Sequence, residues 1–272
     1  MSLDKPSWVV ESVDLDRPNP ARIYDYLLGG HHNFAADRAA AERMLALLPH
    51  SADACVVQRA FLRRTVDMCT AEGIDQFLDI GSGLPTMGNV HDLARATIPD
   101  ARVVYVDVDP VVIAHSSQLL KGDPLATIIE ADVRRPTMIL EHEEVRNLLD
   151  FSRPMGLTMT SLLHFVLEDD LAYSACETLI DALSPGSYVA ITHAIVVEGE
   201  KQDVVKKAKN DYKAAAEVRP RRREEIARFF DGLEILEPGL VSAPLWRPEA
   251  PDDLLLDNPE GYVGLVGVGR KP

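Results

Sequence analysis

Short apolar runs alternate with stretches of helical character through the second part of the chain. Each run fits a strand that is buried on both faces, because crossover helices cover both sides of a parallel sheet. The runs are QFLDI from residue 76, ARVVYVD from 101, LATIIEAD from 125, MGLTMTSLL from 155 and SYVAITHAIV from 187. The alternation predicts an α/β fold with a doubly wound, mostly parallel sheet.

The segments between and after these runs complete the predicted fold. Helices are expected over residues 87–97, 110–120, 140–149, 169–183 and 200–230, and two adjacent closing strands over 233–237 and 262–269. The proline-rich connection 238–259 is the longest predicted loop, and a loop of this length could lie over a site.

Helical signals without strands occupy the first part of the chain. Helices are expected over residues 20–28, 35–48 and 52–72. Asn19 suits the N-cap of the first helix and Pro20 its first turn, while Gly73 suits the end of the third. We therefore expect an N-terminal arm and helical cap over 1–73 and an α/β domain over 74–272, packed as one compact unit.

Composition narrows the classes of partner and location. The net charge of −15 disfavours a surface that follows phosphates, so nucleic acid is not an expected partner, and the basic run 219–223 fits the solvated start of a helix. The three cysteines are too widely spaced for a disulfide framework or a zinc site and are expected to be buried thiols. The histidines form no HExxH motif, so no metal is expected. Without a long apolar run or a signal peptide, we expect no membrane association and a cytoplasmic location.

A glycine turn follows the first strand. Gly81, Ser82 and Gly83 come directly after the apolar run 77–80, and glycines there allow a ligand to approach the backbone. In an open parallel sheet, ligands bind beyond the carboxyl ends of the strands, where the strand order reverses. The third glycine of a dinucleotide fingerprint and the lysine of a P-loop are missing, which disfavours an NAD-dependent oxidoreductase. A purely structural tight turn explains the glycines equally well.

Acidic residues end the next two strands. Asp107 could accept hydrogen bonds from both ribose hydroxyls, whereas Asp109, which precedes Pro110, is more simply a helix N-cap. Asp132 could accept a hydrogen bond from the amine of an adenine, or it could cap the following turn. The three strand ends together indicate a nucleoside site.

These motifs resemble those of class I S-adenosylmethionine-dependent methyltransferases, with DIGSG at 79–83, the ribose acid Asp107 and the adenine contact ADV at 131–133. The chain is more closely similar to a largely actinobacterial methyltransferase family long catalogued as a domain of unknown function. This similarity covers nearly the whole chain. It is carried by ARIYDYLLGG at 21–30, NFAADR at 33–38, residues 77–86, LHF at 163–165 and FFDGL at 229–233. His31 and His32 replace the Lys-Asp pair expected there, and Ser82 stands where threonine is frequent.

The resemblance implies a Rossmann-like class I fold, with a seven-stranded, mostly parallel sheet and a reversed terminal hairpin. It also implies S-adenosylmethionine as the cofactor, and we expect a small-molecule methyl acceptor that the resemblance does not define. The residues expected to contact the cofactor are Arg22, Tyr24, Asn33, Gly81, Ser82, Gly83, Asp107, Val108, Asp132, Val133 and Ser161.

The acceptor side offers fewer signals. His164 is the candidate catalytic base or acceptor contact, although a hydrogen-bonded structural histidine explains it as well, and His193 is a weaker candidate. Arg22 could pair with the methionine carboxylate while the cap closes over the cofactor. A noncatalytic S-adenosylmethionine-binding sensor or complex subunit is the alternative function. An acceptor cavity beside a polar group such as His164 would favour the enzyme.

Overall fold

One sheet organises the computed structural model, which describes residues 14–85, 88–199, 202–250 and 253–272. Its strands in these segments are β1 (Gln76–Ile80), β2 (Arg102–Asp107), β3 (Ala126–Glu130), β4 (Gly156–Met159), β5 (Tyr188–Ala194), β6 (Glu234–Ile235) and β7 (Gly264–Arg270). The spatial order is β3-β2-β1-β4-β5-β7-β6. β1 to β5 are parallel, whereas β7 is antiparallel to both β5 and β6. The predicted mostly parallel sheet with a reversed terminal hairpin is confirmed.

The strand order places a switch point beside β1. The chain proceeds from β1 outward to β2 and β3 and then returns to the other side of β1 as β4. Connections that leave β1 and β4 in opposite directions open a crevice at the carboxyl edge of the sheet. The turn after β1 therefore lies where such a fold binds ligands.

Helices flank the sheet and form the cap. They are α1 (Pro20–Leu27), α2 (Ala35–Leu47), α3 (Ser51–Ala71), α4 (Val90–Thr97), α5 (Pro110–Leu119), α6 (Pro136–Leu140), α7 (Glu143–Leu148), α8 (Asp169–Asp181), α9 (Gln202–Tyr212) and α10 (Arg223–Ala227). The side chain of Asn19 accepts the backbone N–H groups of Ala21 and Arg22, so the predicted N-cap of α1 is confirmed. Asp109 caps α5 in the same way.

The core lies on both faces of the sheet, because successive strand residues point to opposite sides. Leu78 and Ile80 of β1 pack with residues of α6, α7 and α8 on one face, whereas Phe77 packs with α3 and α4 on the other. All three cysteines are buried free thiols, as expected. The helix α3, which the sequence analysis groups with the cap, contributes Phe61 and Leu62 to the second face. Among the described residues of the cap, α1 and α2 lie outside the two core clusters that contain the strands.

The predicted helix 200–230 is wrong, because the chain between α9 and α10 is extended in part. Arg221 forms an isolated parallel bridge with Ile195, directly after Pro220. Proline has no N–H and restricts the residue before it, so a continuous helix through this point is unfavourable. The predicted helix 140–149 is likewise divided, into α6 and α7.

The basic run 219–223 is not a solvated helix start throughout. Arg221 is fully buried, with 0% of its surface exposed, although Arg222 and Arg223 beside it are exposed. A charged side chain is buried only when its donors are paired, and Arg221 has partners for all of its N–H groups, as described below. Residue composition alone does not distinguish this arginine from its neighbours.

The connection 238–259 packs on α3. Trp246 is fully buried, and its ring lies 5.0 Å from the ring of Phe61 in an edge-on arrangement. Arg64 of α3 donates a hydrogen bond to the carbonyl of Ala243. The expectation that this loop lies over a site is wrong for its described part, because that part contributes to the core.

Candidate functional site

A cavity of about 620 Å³ opens at the carboxyl edge of the sheet. This volume lies within the range of about 300–1,000 Å³ that is typical of small-molecule sites. The turns after β1, β2 and β3 line one part, which we call the cofactor half. The other part, which we call the acceptor half, is lined by the segments after β4 and β5, by α1, α2 and residues 51–58 of α3, and by the end of α9 and residues 261–264.

The glycine turn forms the floor of the cofactor half. Gly81 and Gly83 have φ values of +73° and +66°, a conformation that side chains with a Cβ atom rarely adopt. A Cβ on Gly83 would meet no atom within 4 Å, so the backbone there is open to the cavity. The Oγ of Ser82 is buried and has no hydrogen-bond partner among the described residues. The turn therefore offers close backbone approach and a polar atom that a ligand can use.

Asp107 lies beside this turn at the end of β2. Its carboxylate accepts the N–H groups of Gly83 at 2.9 Å, Val108 at 2.8 Å and Asp109 at 2.9 Å. Burial raises the pKa of Asp107, and these backbone hydrogen bonds act in the opposite direction. A carboxylate has about four acceptor positions, so one remains for a ribose hydroxyl after these three bonds. Asp107 thus positions the glycine turn and also faces the cavity.

The third strand end completes the cofactor half. Asp132 and Val133 line the cavity, as does Val108, which is 56% exposed at its rim. The carboxylate of Asp132 pairs with the guanidinium of Arg134 at 2.5 Å. Burial acts to raise the pKa of Asp132, but the hydrogen bonds from Arg134 hold it below its usual value. This exposed ion pair is weak in water, so it does not prevent a ligand amine from displacing the arginine.

Ser161 marks the boundary between the halves. It is a non-glycine residue with a φ of +51°, which is uncommon and concentrates at functional sites. Its N–H donates to the Oγ1 of Thr192, and its Oγ donates to the Oε1 of Gln58, both at 2.8 Å. These contacts to β5 and α3 hold the turn after β4 in its strained conformation.

Two histidines lie in the acceptor half. His164 follows β4 and His193 lies near the end of β5, and their rings meet edge-on with centroids 5.6 Å apart. Burial lowers the pKa of His164 to about 3 and that of His193 to about 4. Both rings are therefore neutral near pH 7. The Nδ1 of His164 is buried and has no partner among the described residues, so its hydrogen-bonding capacity is unused by the protein.

Arg221 fixes both histidines in place. It donates to the carbonyls of Leu163 at 3.1 Å and Val166 at 3.0 Å, which flank His164, and to the Nε2 of His193 at 2.9 Å. Its remaining donors pair with the carboxylate of Asp169. The Nε2 of His193 accepts from Arg221, so its proton resides on Nδ1, which donates to the carbonyl of Ala194. One buried arginine thus joins the segment after β4, the end of β5 and the start of α8.

A model of the S-adenosyl methyltransferase family matches residues 6–272. The chain belongs to this family. It is similar to the solved structure of "a putative methyltransferase" from Thermobifida fusca YX, with 40% identity, a TM-score of 0.88, and 100% of this chain and 99% of that chain covered. It is also similar to a DUF574 family protein from Streptomyces avermitilis MA-4680, with 36% identity, a TM-score of 0.88, and 95% and 100% covered. No curated protein matches the chain.

The family match and the topology of the sheet indicate the same fold. The parallel strands with a reversed terminal hairpin form the Rossmann-like class I methyltransferase arrangement, and the family implies S-adenosylmethionine as the methyl donor. The cofactor half fits the adenosyl part of that donor, because it combines an open glycine backbone, the Asp107 carboxylate and an unused polar atom on Ser82. None of the helices in the described segments has the length and apolar character needed to cross a membrane.

Two cap residues of the predicted methyltransferase site lie outside the cavity lining. The guanidinium of Arg22 is buried, pairs with Asp37 at 2.8 Å and donates to the carbonyl of Arg17 at 2.6 Å. Asn33 donates to Asp25 at 2.9 Å and is also buried. Both side chains are therefore paired within the cap. Tyr24 does line the cavity, and its hydroxyl donates to the carbonyl of Cys55 at 3.2 Å.

The structure adds site residues that sequence reasoning missed. Gln58 and Arg59 of α3 line the cavity, and Tyr262 before β7 donates from its hydroxyl to the Oε1 of Gln58 at 3.3 Å. Asn19 donates to the carboxylate of Asp109 and thus ties the cap to the cofactor half. The sequence could have indicated Gln58, because this residue is polar although it lies one helical turn from core residues of α3. Such a buried polar residue on an apolar face indicates a site.

Proposed function

We propose that the chain is an active S-adenosylmethionine-dependent methyltransferase for a small-molecule acceptor. The observation that carries this proposal is the continuity of the cavity, which joins a nucleoside-type half to a second half that contains His164. A noncatalytic binding module needs only the first half. The second half, with an unused ring nitrogen beside it, favours an enzyme over a sensor.

The chain's own residues bind and orient the reactants. When bound, S-adenosylmethionine supplies a methyl carbon on a positively charged sulfur, and an acceptor atom attacks that carbon in line. Asp107 and the turn after β1 hold the nucleoside, while Ser161 and the segment after β4 shape the boundary with the acceptor. The cap residues Ile23 and Leu27 of α1 supply apolar surface to the acceptor half. Alignment of two bound reactants accounts for much of the rate enhancement in such a displacement, and no covalent enzyme intermediate is required.

His164 acts as a hydrogen-bonding group in this proposal. A general base works best when its pKa is close to the operating pH, and burial lowers the pKa of His164 to about 3. The neutral ring can accept or donate one hydrogen bond to the acceptor and so align it. The role of catalytic base, which the sequence analysis considered, is less favourable than the role of hydrogen-bonding group, because a ring with so low a pKa retains a proton poorly.

The test is calorimetric titration with S-adenosylmethionine, S-adenosylhomocysteine and NAD, on the wild type and two matched variants. Asp107→Asn removes the charge at the ribose position, and we expect at least about tenfold weaker binding of both sulfur nucleosides. Asp100→Asn makes the same change at an exposed position outside the cavity lining and is expected to retain the affinity.

Three results would contradict the proposal. These are tighter binding of NAD than of S-adenosylmethionine, no binding of either sulfur nucleoside, and equal losses in the two variants. Thermal unfolding of each variant checks that the glycine turn, which Asp107 also holds, remains folded.

A further inference from the structure

We propose that the acceptor half receives an uncharged, largely apolar phenol, whose hydroxyl forms a hydrogen bond with His164. This inference rests on the proposed methyltransferase function and names the class of its acceptor. It is carried by the walls of the acceptor half, by the absence of free charge there among the described residues, and by the unused ring nitrogen of His164.

The walls of the acceptor half are mainly apolar and come from the cap and the segment after β4. The lining residues are Ile23 and Leu27 of α1, Met44 of α2, Leu48 directly after α2, and Phe165. Ile23, Leu27 and Met44 also belong to the apolar cluster of the cap, in which Ile23 is fully buried and Tyr212 of α9 takes part. Apolar walls favour a ligand that leaves water by the hydrophobic effect.

Tyr24, Tyr262 and Cys55 contribute neutral polar groups to these walls. The hydroxyls of Tyr24 and Tyr262 donate to the Cys55 carbonyl and to Gln58, and burial raises the pKa of both phenols. Burial also raises the pKa of the Cys55 thiol to about 12. None of these groups carries charge near pH 7.

The formal charges near the cavity are directed elsewhere. Glu217 lies at the exposed rim and pairs with Lys213 at 2.5 Å. Arg59 lies beside the glycine turn, where it donates to the carbonyl of Gly88 and its positive charge acts to lower the pKa of the Asp79 carboxyl. Arg221 is committed to Asp169, His193 and backbone carbonyls and does not line the cavity. An acceptor with its own charge would therefore lose hydration in the acceptor half without gaining a counter-ion.

The hydroxyl must be acidic because His164 is a poor proton acceptor. In the transfer, the hydroxyl oxygen forms a bond to the methyl carbon as the carbon–sulfur bond breaks and its electron pair remains on sulfur. The hydroxyl proton leaves to solvent water. With the pKa of His164 lowered to about 3, the ring aligns the oxygen but does not retain this proton, which favours a phenol over an aliphatic alcohol. Aromatic surfaces on Tyr24, Phe165 and Tyr212 suit a flat ring.

The test compares three matched acceptors in the presence of S-adenosylmethionine. These are 2-naphthol, its saturated analogue decahydro-2-naphthol, and the charged analogue 6-hydroxy-2-naphthoate. Methylated product is measured by mass spectrometry, and binding to the protein saturated with S-adenosylhomocysteine is measured by calorimetry. We expect methylation of 2-naphthol, with turnover of the other two compounds reduced at least about tenfold.

A pair of variants tests the charge argument without touching the binding machinery of the cofactor half. Ala216→Lys introduces a cation at a cavity-lining position, and Ala214→Lys introduces it two residues away at an exposed position outside the lining. We expect the rate on 6-hydroxy-2-naphthoate relative to 2-naphthol to rise about tenfold in Ala216→Lys only. Thermal unfolding and S-adenosylhomocysteine binding confirm that both variants are folded.

The outcomes separate the inference from the proposed function. Binding of S-adenosylmethionine is measured before any acceptor is added, and its absence contradicts the proposed function together with the inference. If S-adenosylmethionine binds, the inference alone is overturned by either of two results. One is that 2-naphthol is neither bound nor methylated, and the other is that the charged or saturated analogue performs equally well. An equal change of preference in the two lysine variants likewise overturns it.

Discussion

The two halves of the cavity differ in how the chain builds them. The cofactor half consists of three turns that each follow a strand directly, and its polar contacts are mainly made by the backbone and by carboxylates. The acceptor half is assembled from α1, α2, residues 51–58 of α3, the segments after β4 and β5, the end of α9 and residues 261–264, and its polar groups are neutral apart from Glu217 at the rim. The difference matches what each reactant requires of its site. A nucleoside needs donors and acceptors at fixed positions, whereas an apolar acceptor needs a cavity of matching shape.

The largest expected effect concerns the arginine that supports the acceptor half. Arg221→Met leaves the Nε2 of His193 and the carbonyls of Leu163 and Val166 without their donor, and we expect the free energy of unfolding to fall by about 3–5 kcal/mol. Denaturant unfolding measures it. The neighbouring control Arg222→Met removes an exposed side chain and is expected to change the free energy of unfolding by less than about 0.5 kcal/mol. Equal effects of the two changes would show that Arg221 is not a structural support.

A smaller effect tests the cofactor half. Gly83→Ala and Gly232→Ala both place a side chain at a positive φ with open space around the new Cβ atom, so each should destabilise the fold by about 1–2 kcal/mol. Gly83 lines the cavity and Gly232 does not. We expect only Gly83→Ala to weaken S-adenosylmethionine binding, by about tenfold or 1.4 kcal/mol in calorimetry. Unchanged affinity in Gly83→Ala would exclude close approach of the cofactor to this turn.

The smallest effect concerns the protonation of the acceptor half. The folded chain keeps His164 neutral down to about pH 3, whereas an unfolded chain protonates it near its usual pKa of 6.5. The unfolded state therefore binds more protons between these values, and stability falls as the pH is lowered through this window. In His164→Gln, the slope of unfolding free energy between pH 6 and pH 5 should decrease by about 1 kcal/mol per pH unit.

Gln118→Asn, a change at an exposed position that involves no titratable group, is the control for this measurement and should leave the slope unchanged. Asp79 contributes in the opposite direction, because burial raises its pKa to about 6 and the folded state binds the extra proton. Its contribution is common to the wild type and both variants and cancels in the comparison. A slope that is the same in His164→Gln and the wild type would contradict a neutral, buried His164.

The comparison of the two halves also explains how far sequence could predict the molecule. The parallel sheet, the glycine turn and the cap of α5 by Asp109 follow from local patterns, because each signal lies within a few consecutive residues. Five residues that those patterns singled out line the cavity, namely Gly81, Ser82, Gly83, Asp107 and Asp132. Their contacts with a cofactor remain predictions.

The rest depended on long-range packing. Arg22 and Asn33 were expected at the cofactor but are used within the cap, since Asp37 and Asp25 lie beside them in the fold. The burial of Arg221 depends on Asp169, which is distant in sequence. No local sequence pattern indicates such a partner, so the charge of the run 219–223 alone led to the prediction that it is solvated.

The most direct test of the account is a crystal structure of the protein with S-adenosylhomocysteine. We predict one ribose hydroxyl hydrogen-bonded to Asp107, the adenine beside Val108 and Asp132, and the sulfur directed toward the half that contains His164. A nucleoside bound in the acceptor half, or a sulfur directed away from His164, would contradict the division of the cavity into a cofactor half and an acceptor half.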